Sequence, residues 1–327
     1  SPNPTVKAIR STDTQVFFGG NFTLVSGSAR TYVASVGAVG TSSPGVLNAW
    51  APAIKKTEYN NTDKNDPRNK DKPQSEWVHV IYVSALALKP DNSAVVIGGE
   101  FDTVNGAFSR ALVVVSPTTG GNLKPFNQLV TDNSRVKAII VDSTGFYTGN
   151  EGTGGGKFDG RLAVNWSGYT QRWRDNCLGA TQSLALYNKV LYSGSHAHDC
   201  TPTGAWHDGE RHHLLAQTAN GETTQILRWL PDTNDGLGEG IGPRAMTISA
   251  NGSARYLWTV GEFTTVNGVK QQGLTRFGTG VNPDGSSNST HHAAGPVAAP
   301  LLSLSSLGTG KIRVAWNAVH DPDDSTL

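Results

Sequence analysis

The sequence predicts an all-β protein built from a repeated four-stranded unit, and three observations lead to this class. The composition favours turns and short strands, because the 327 residues include 38 glycines, 16 prolines and a single methionine. Apolar residues alternate, or run in short blocks, between Gly, Asn and Pro, which is typical of strands. One string occurs three times, at 16–27, 95–106 and 258–268: an apolar run, glycine, Phe, a Thr-rich step and a Gly turn.

Five such units follow one another; three strands can be laid out in each, and a fourth in the first four. An apolar first strand precedes a second strand that ends in glycine, a third apolar strand and a fourth that often carries an aromatic residue. Such repeats predict a β-propeller of four-stranded antiparallel blades over 1–278, with at least five blades, rather than a sandwich with accidental self-similarity. First strands are expected at 6–9, 83–88, 136–141, 182–187 and 244–249, and the equivalent glycines are taken as Gly20, Gly99, Gly149, Gly194 and Gly261.

The repeated string itself has a scaffold role. Asn105-Gly106 and Asn267-Gly268 suit the two positive φ angles of a type I′ hairpin. The glycines before the hairpin would relieve crowding under a neighbouring blade. We expect the repeat phenylalanines to fill spaces between blades, and they are Phe22, Phe101 and Phe263.

The strings GGNFTLVSGSAR, GGEFDTVNGAFSR and VGEFTTVNGVKQQGLTRF resemble the delta-60 repeat, a propeller-forming repeat of large secreted or surface bacterial proteins. Units three and four depart from it, with Glu151 and His196 at the position expected for Phe. The resemblance implies a secreted or surface-displayed protein. Residues 279–299 read as a linker, and 300–327 resembles the first two strands of a fibronectin type III or PKD-like module. Neighbouring domains of a longer chain or assembly are therefore expected partners.

Charge and hydropathy exclude two classes of partner. The formal net charge is +1 without a Lys/Arg stripe, which argues against nucleic-acid binding. No run of about 18 apolar residues could span a bilayer.

The long insertions fall where second strands lead to third strands and where one blade leads to the next. In an up-and-down blade both connections emerge at the same end, so we expect one loop-rich face that contacts a ligand. The segment 55–76 carries six basic and five acidic residues and is expected to be a solvated loop. The insertions are 55–76, 150–160, 197–210 and 231–242.

The two cysteines, Cys177 and Cys200, both map to blade four on the loop-rich face. An oxidising compartment would join them in a disulfide. The predicted disulfide and the family resemblance agree on an extracellular location.

Blade four also concentrates histidine, carboxylate and tryptophan side chains. The spacing fits no closed zinc signature, and His212 and His213 on one strand would point to opposite faces. The segment could be a hydrogen-bonded loop, a ligand site or a catalytic site with His198 or His207 as general base. No nucleophile in a known motif accompanies them. The candidate binding residues are His196, His198, Trp206, His207, Asp208 and Glu210, and Asp199 or Asp208 would orient a catalytic base.

The stretch DTNDGLGE offers oxygen ligands beside glycines. Asp232, Asn234, Asp235 and Glu239 would suit a structural Ca²⁺, although the EF-hand pattern is not met. Asp and Asn beside Gly are also ordinary turn residues. No other cofactor is predicted.

The function these features predict is a binding or adhesion module that contacts glycan or protein through the loop-rich face. One alternative is an extracellular hydrolase or lyase that acts on polysaccharide through the His/Asp-rich loop. Another is an architectural component of a filament or a phage-like assembly.

Overall fold

The computed structural model describes residues 4–207, 209–227, 229–236, 241–251, 254–278, 302–308 and 311–316. The chain divides into two compact units. The first comprises 1–181 with 221–223, and the second comprises 182–220 with 224–327.

The first unit contains blades 1, 2 and 3, which are three successive antiparallel sheets. Blade 1 has the order β1-β2-β5, blade 2 the order β7-β8-β11-β12, and blade 3 the order β13-β14-β15-β16. The elements are β1 (Val6–Ser11), β2 (Gln15–Gly20), β3 (Leu24–Val25), β4 (Ser28–Ala29), β5 (Val33–Gly37), β6 (Ile54–Lys55), α1 (Asn61–Lys64), 3₁₀ turns at Pro67–Asn69 and Gln74–Glu76, β7 (Tyr82–Leu88), β8 (Val95–Glu100), β9 (Thr103–Val104), β10 (Ala107–Phe108), β11 (Leu112–Val115), β12 (Asn122–Pro125), β13 (Ser134–Val141), β14 (Gly145–Gly152), β15 (Arg161–Asn165) and β16 (Gln171–Asp175).

The second unit contains blades 4 and 5, with β17 beginning at the boundary between the units. Blade 4 has the order β17-β18-β19 and blade 5 the order β20-β21-β24. A separate hairpin pairs β25 with β26. The elements are β17 (Thr181–Tyr187), β18 (Val190–Ala197), a 3₁₀ turn at Thr201–Thr203, β19 (His212–Thr218), β20 (Pro243–Asn251), β21 (Ala254–Gly261), β22 (Thr265–Val266), β23 (Val269–Lys270), β24 (Leu274–Gly278), β25 (Leu302–Gly308) and β26 (Lys311–Trp316).

The structure confirms the all-β class and the antiparallel blades. Within the described residues, a full fourth strand occurs only in blades 2 and 3. In blades 1 and 4 the described part of the fourth segment forms the isolated bridges Val36–Leu47 and Gln217–Ile226. In blade 5 three strands lie within the described residues. The linker 279–299 lies outside those residues, and the module that β25 and β26 begin stays a prediction.

Consecutive blades pack on one another within each unit. In the first unit β7 lies against β1 and β2, and β13 lies against β7 and β8; in the second, β20 lies against β18. The repeat phenylalanines Phe22, Phe101 and Phe263 are buried, at 3%, 2% and 0% exposed, and their place between blades stays a prediction.

The glycines of the second strands sit where a side chain has no room. A Cβ on Gly98 would come within 2.5 Å of Val136 Cγ1 on the next blade, and one on Gly149 within 2.7 Å of Thr181 Cγ2. A Cβ on Gly19 would overlap Val83 in the same way. The close approach of one blade to the next therefore requires glycine here.

The strand register corrects the predicted repeat alignment by one residue. Gly149 pairs with Ala138 as Gly98 pairs with Ala85, so Asn150 takes the place of Gly99. Glu151 is consequently equivalent to Glu100 and does not occupy the position of Phe. The shift is hidden in the sequence because blade 3 has a single glycine at this point, Gly149, which can be matched to either glycine of the pairs in blades 1 and 2.

The hairpin turns and the disulfide follow the sequence predictions. Asn105 and Gly106 have φ angles of 50° and 80°, and Asn267 and Gly268 have 46° and 77°. Cys177 and Cys200 form the predicted disulfide. Among the described residues, no helix has the length and apolar character needed to span a bilayer.

Candidate functional site

The insertion 55–76 of the first unit is mostly exposed, as expected of a solvated loop, but Lys56, Asp63 and Asn69 within it are buried. The Nζ of Lys56 lies 2.6 Å from Asp63 Oδ2 and 2.7 Å from Glu100 Oε1. It also donates to Asn60 Oδ1 at 2.9 Å. Lys56 is 7% exposed and Asp63 is fully buried. Lys56 thus places a buried positive charge between the carboxylates of Asp63 and Glu100, which composition alone cannot distinguish from a solvated face.

A capping box stabilises the N-terminus of the short helix α1. The Asn60 side chain accepts from the Thr62 and Asp63 amides, and the Asp63 side chain accepts from the Asn60 amide. Asp63 Oδ1 also accepts from the backbone N–H of Val80 at 2.6 Å. The same carboxylate therefore starts the helix and anchors the end of the insertion.

The predicted insertions 55–76 and 150–160 meet at one end of the blades of the first unit, together with the connection 127–134, which was not predicted. The amide N–H of Asn61 donates to Asn133 Oδ1 at 3.1 Å, and its side chain donates to the carbonyl of Thr153 at 2.9 Å. Asn133 in turn donates to the carbonyl of Gly155 at 2.7 Å. We call this surface, formed by 55–76, 127–134 and 150–160, the loop-bearing end of the first unit.

In three blades an acidic residue follows the position equivalent to Gly99. Glu100 is paired with Lys56, Glu151 with Arg135 and Lys137, and Glu262 with Arg244. The equivalent position is thus a structural ion pair in both units.

An open groove of about 650 Å³ lies at the loop-bearing end of the first unit. Its lining is mostly polar. Asn127 and Gln128 are exposed amide side chains in the connection between blades 2 and 3. The groove is lined by Phe108, Arg110, Asn127, Gln128, Val130, Thr131, Asp132, Asn133, Gly155 and Gly156.

Arg110 forms one wall of this groove. Its guanidinium lies over the Phe108 ring at 5.0 Å from the centroid. The same group contacts Glu58 Oε2 at 2.7 Å and Asp132 Oδ1 at 3.1 Å. One positive charge against two carboxylates leaves this wall without an excess of positive charge, so it does not favour an anionic ligand.

The histidine-rich loop of the second unit holds its predicted residues in separate interactions. The His196 and His198 rings lie 6.4 Å apart, and Trp206 contacts the His212 ring at 4.1 Å. The buried Trp206 indole N–H donates to none of the described residues. His207 and Glu210 lie at the surface, and Asp208 lies outside the described residues.

Asp199 is hydrogen-bonded to Thr201, although His198 and His207 lie near enough for their charge to act on its carboxylate. Its Oδ1 accepts from the Thr201 amide at 2.9 Å and from the Thr201 hydroxyl. The Thr201 hydroxyl hydrogen bond holds the pKa of Asp199 below its ordinary value. Asp199 is therefore placed as the first residue of a turn, and a catalytic pair with His198 or His207 gains no support.

The carboxylates predicted to bind Ca²⁺ contact cationic side chains instead. His213 Nε2 lies 3.0 Å from Asp235 Oδ1, and His213 Nδ1 lies 3.4 Å from Asp232 Oδ1. Arg211 contacts both oxygens of Asp235 at 2.9 Å. Burial lowers the pKa of His213, but hydrogen bonds and charge from the two carboxylates outweigh it and raise the pKa above 6.5.

Asn234 has a further structural role, since its Oδ1 accepts from the amides of Thr264 and Thr265 at 2.7 and 3.1 Å. Glu239 lies outside the described residues. Among the described residues, no group of three His, Cys, Asp or Glu side chains is arranged to hold a metal ion. The Ca²⁺ site stays a prediction.

Comparison with known proteins identifies no family, because no family model and no curated protein matches the chain. Among solved structures, it is similar to the WD40 β-propeller domain of Doa1, with 9% identity and a TM-score of 0.41 over 95% of this chain and 90% of that one. It is also similar to the computationally designed Ika4 protein, with 16% identity and a TM-score of 0.36 over 57% and 88%. The Malassezia sympodialis allergen Mala s 1 matches with 11% identity and a TM-score of 0.38 over 72% and 71%.

Sequence reasoning missed the groove residues Phe108, Arg110, Asn127 and Gln128. They lie within or next to the repeated strands, where every side chain had been assigned to the scaffold. The sequence did contain a signal for this groove. The largely polar stretch NQLVTDNS at 127–134 connects the fourth strand of blade 2 to the first strand of blade 3.

Proposed function

We propose that this protein is a binding module that takes up a neutral oligosaccharide in the groove at the loop-bearing end of its first unit. The observation that supports it is the pair of exposed amides, Asn127 and Gln128, beside the Phe108–Arg110 wall. Amide side chains both donate and accept hydrogen bonds, which matches sugar hydroxyls. The aromatic ring adds apolar contact area for a sugar ring.

The charge of the groove narrows the ligand class. Arg110 is already engaged by Glu58 and Asp132, so its guanidinium is not available as an anion anchor. A sulfated or carboxylated glycan would face these carboxylates. We therefore expect neutral glycans to bind and anionic ones to bind more weakly.

The hydrogen-bonded floor of the groove supports binding without large rearrangement. Asn133 is held between the Asn61 amide and the Gly155 carbonyl, so the connection between blades 2 and 3 is tied to both neighbouring insertions. A preorganised site lowers the entropic cost of binding.

The experiment is a glycan microarray followed by calorimetric titration of the neutral oligosaccharides retained. The double variant Asn127→Ala/Gln128→Ala should weaken binding at least tenfold. Gln225→Ala is the matched control, because Gln225 is an exposed glutamine in the turn between the third and fourth strands of blade 4. Retention of no neutral glycan, or equal binding by the double variant and the control, would contradict the proposal.

A further inference from the structure

The chain contains three copies of the repeat hairpin, and they differ in what covers their outer edge. The copies are β3–β4 in blade 1, β9–β10 in blade 2 and β22–β23 in blade 5. Each turns through two residues with positive φ, including Ser26 and Gly27 at 48° and 78° in blade 1. Their similar backbone makes them a controlled comparison inside one molecule.

The blade 2 hairpin is covered by the segment that follows Trp50 and Pro52. In this segment β6 pairs antiparallel with β9, with Ile54 opposite Val104. The Asn105 amide donates to the Ala53 carbonyl, and the Ala53 amide donates to Asn105 Oδ1, both at 2.8 Å. Ile54 and Val104 are 1% and 0% exposed.

The blade 5 hairpin is covered in the same way, within the second unit. Thr233 forms a bridge with Val266. The Asn267 amide donates to the Asp232 carbonyl, and the Asp232 amide donates to Asn267 Oδ1, both at 2.8 Å. This segment also follows a Trp-x-Pro sequence, Trp229 to Pro231. Two units that share no strand thus use one covering element: Trp-x-Pro, one residue, then a β-branched residue.

The blade 1 hairpin has no such cover among the described residues. Its β3 strand pairs only with β4, and Leu24 is 65% exposed. In blade 2 the outer edge uses the amides of Asp102 and Asn105, which donate to Lys55 and Ala53. The equivalent amides in blade 1 belong to Thr23 and Ser26, and they donate to no residue in the described part of the chain.

We propose that the outer edge of β3 binds an extended segment of a partner polypeptide with the sequence pattern Trp-x-Pro-x-Ile. The segment would add a strand to the hairpin, as β6 does in blade 2, with its Ile opposite Val25. The pattern is that of the two Trp-x-Pro segments of this sequence, each of which covers its own hairpin. Main-chain donors of Thr23 and Ser26 supply the hydrogen bonds, and the β-branched residue supplies the apolar contact.

One difference between the hairpins gives a gain-of-function test. Asn105 and Asn267 each accept a hydrogen bond from the covering segment, whereas blade 1 carries Ser26 at this position. Ser26→Asn should restore that acceptor. The substitution also suits the local φ of 48°, since asparagine tolerates the left-handed region.

The experiment measures fluorescence anisotropy of a labelled, end-blocked peptide Trp-Ala-Pro-Ala-Ile-Lys titrated with the protein. We expect saturable binding, several-fold tighter with Ser26→Asn and lost with Val25→Lys. Val269→Lys, an exposed valine on the covered blade 5 hairpin, should leave binding unchanged. Asn127→Ala/Gln128→Ala should also bind the peptide normally, which separates this site from the proposed glycan groove.

Three outcomes would overturn the proposal. The first is the absence of saturable binding to both the wild type and Ser26→Asn. The second is equal loss of binding in Val25→Lys and Val269→Lys. The third is a dimer by light scattering that Val25→Lys dissociates, because a second copy of this chain would then be the occupant.

Discussion

The insertions 55–76 in the first unit and 197–210 in the second differ in whether their charged residues are buried, and the difference is the reverse of what their composition suggests. The second concentrates histidines and carboxylates, yet Asp199, His207 and Glu210 lie near or at the surface. The first is nearly neutral and unremarkable as a string, yet Lys56, Asp63 and Glu100 form a buried charge cluster. The comparison teaches that burial decides which charges carry stability, because only a buried charge depends on its partner.

The largest expected effect comes from removing the shared cation of the first insertion. Lys56→Met leaves Asp63 and Glu100 buried together without a counter-charge, and the free energy of unfolding should fall by about 3–5 kcal/mol. Equilibrium denaturation in guanidinium chloride measures it.

The neighbouring Lys55 is exposed and is the matched control. Lys55→Met should change stability by less than about 0.5 kcal/mol. Equal effects of the two variants would mean that the buried cluster does not hold the insertion.

The next effect concerns the covalent link of the second insertion. Cys200→Ser opens the Cys177–Cys200 bond and should cost roughly 3 kcal/mol, because the unfolded chain gains entropy. Denaturation of the variant and of the wild type under reducing conditions should then coincide. A reduced wild type as stable as the oxidised protein would contradict the prediction.

A smaller effect should appear as a dependence of stability on pH. The pKa of His213 is raised above 6.5 by Asp232 and Asp235. A raised pKa in the folded state means that the stabilisation is complete below pH 6.5 and is lost as pH rises through the folded value. Thermal melts between pH 5.5 and 8.5 should show Tm falling across that window.

His213→Gln should remove this slope, whereas the exposed His207→Gln should keep it. A slope that survives in His213→Gln would assign the titration to another group.

The smallest effect is expected at the residue that composition made most conspicuous. Asp199→Ala removes a turn hydrogen bond at the surface, so neither the Tm nor glycan binding should change measurably. If Asp199→Ala lost glycan binding while its Tm stayed unchanged, the second insertion would be part of the binding site, and this prediction would be wrong.

Much of the fold could be predicted because its signals are local. The Asn-Gly turns require positive φ whatever surrounds them, and the strand periodicity is visible within a few residues. The repeat alignment failed at Glu151 because blade 3 has one glycine where blades 1 and 2 have two, and only the strand register shows which of the two Gly149 replaces.

The candidate site was less predictable, since its parts come from three connections. Asn61, Asn133 and Gly155 are far apart in sequence and meet only through tertiary hydrogen bonds. The predicted ligands Asp232 and Asp235 were recognised as a cluster, but their partner His213 belongs to another strand. The residue types at 232 and 235 indicated negative charge, and only the fold showed that His213 and Arg211 contact these carboxylates.

The sequence by itself determined the all-β class, the repeated blades, the hairpin turns and the disulfide, because each depends on residue type and short spacing. Tertiary structure alone decided which charges are buried, how Arg110 is engaged, and which of three similar hairpins has an outer edge that no described segment covers. Those properties depend on distances between segments remote in sequence. Leu24 and Thr103 occupy equivalent positions in similar strings, and only the strand packed beside Thr103 distinguishes them.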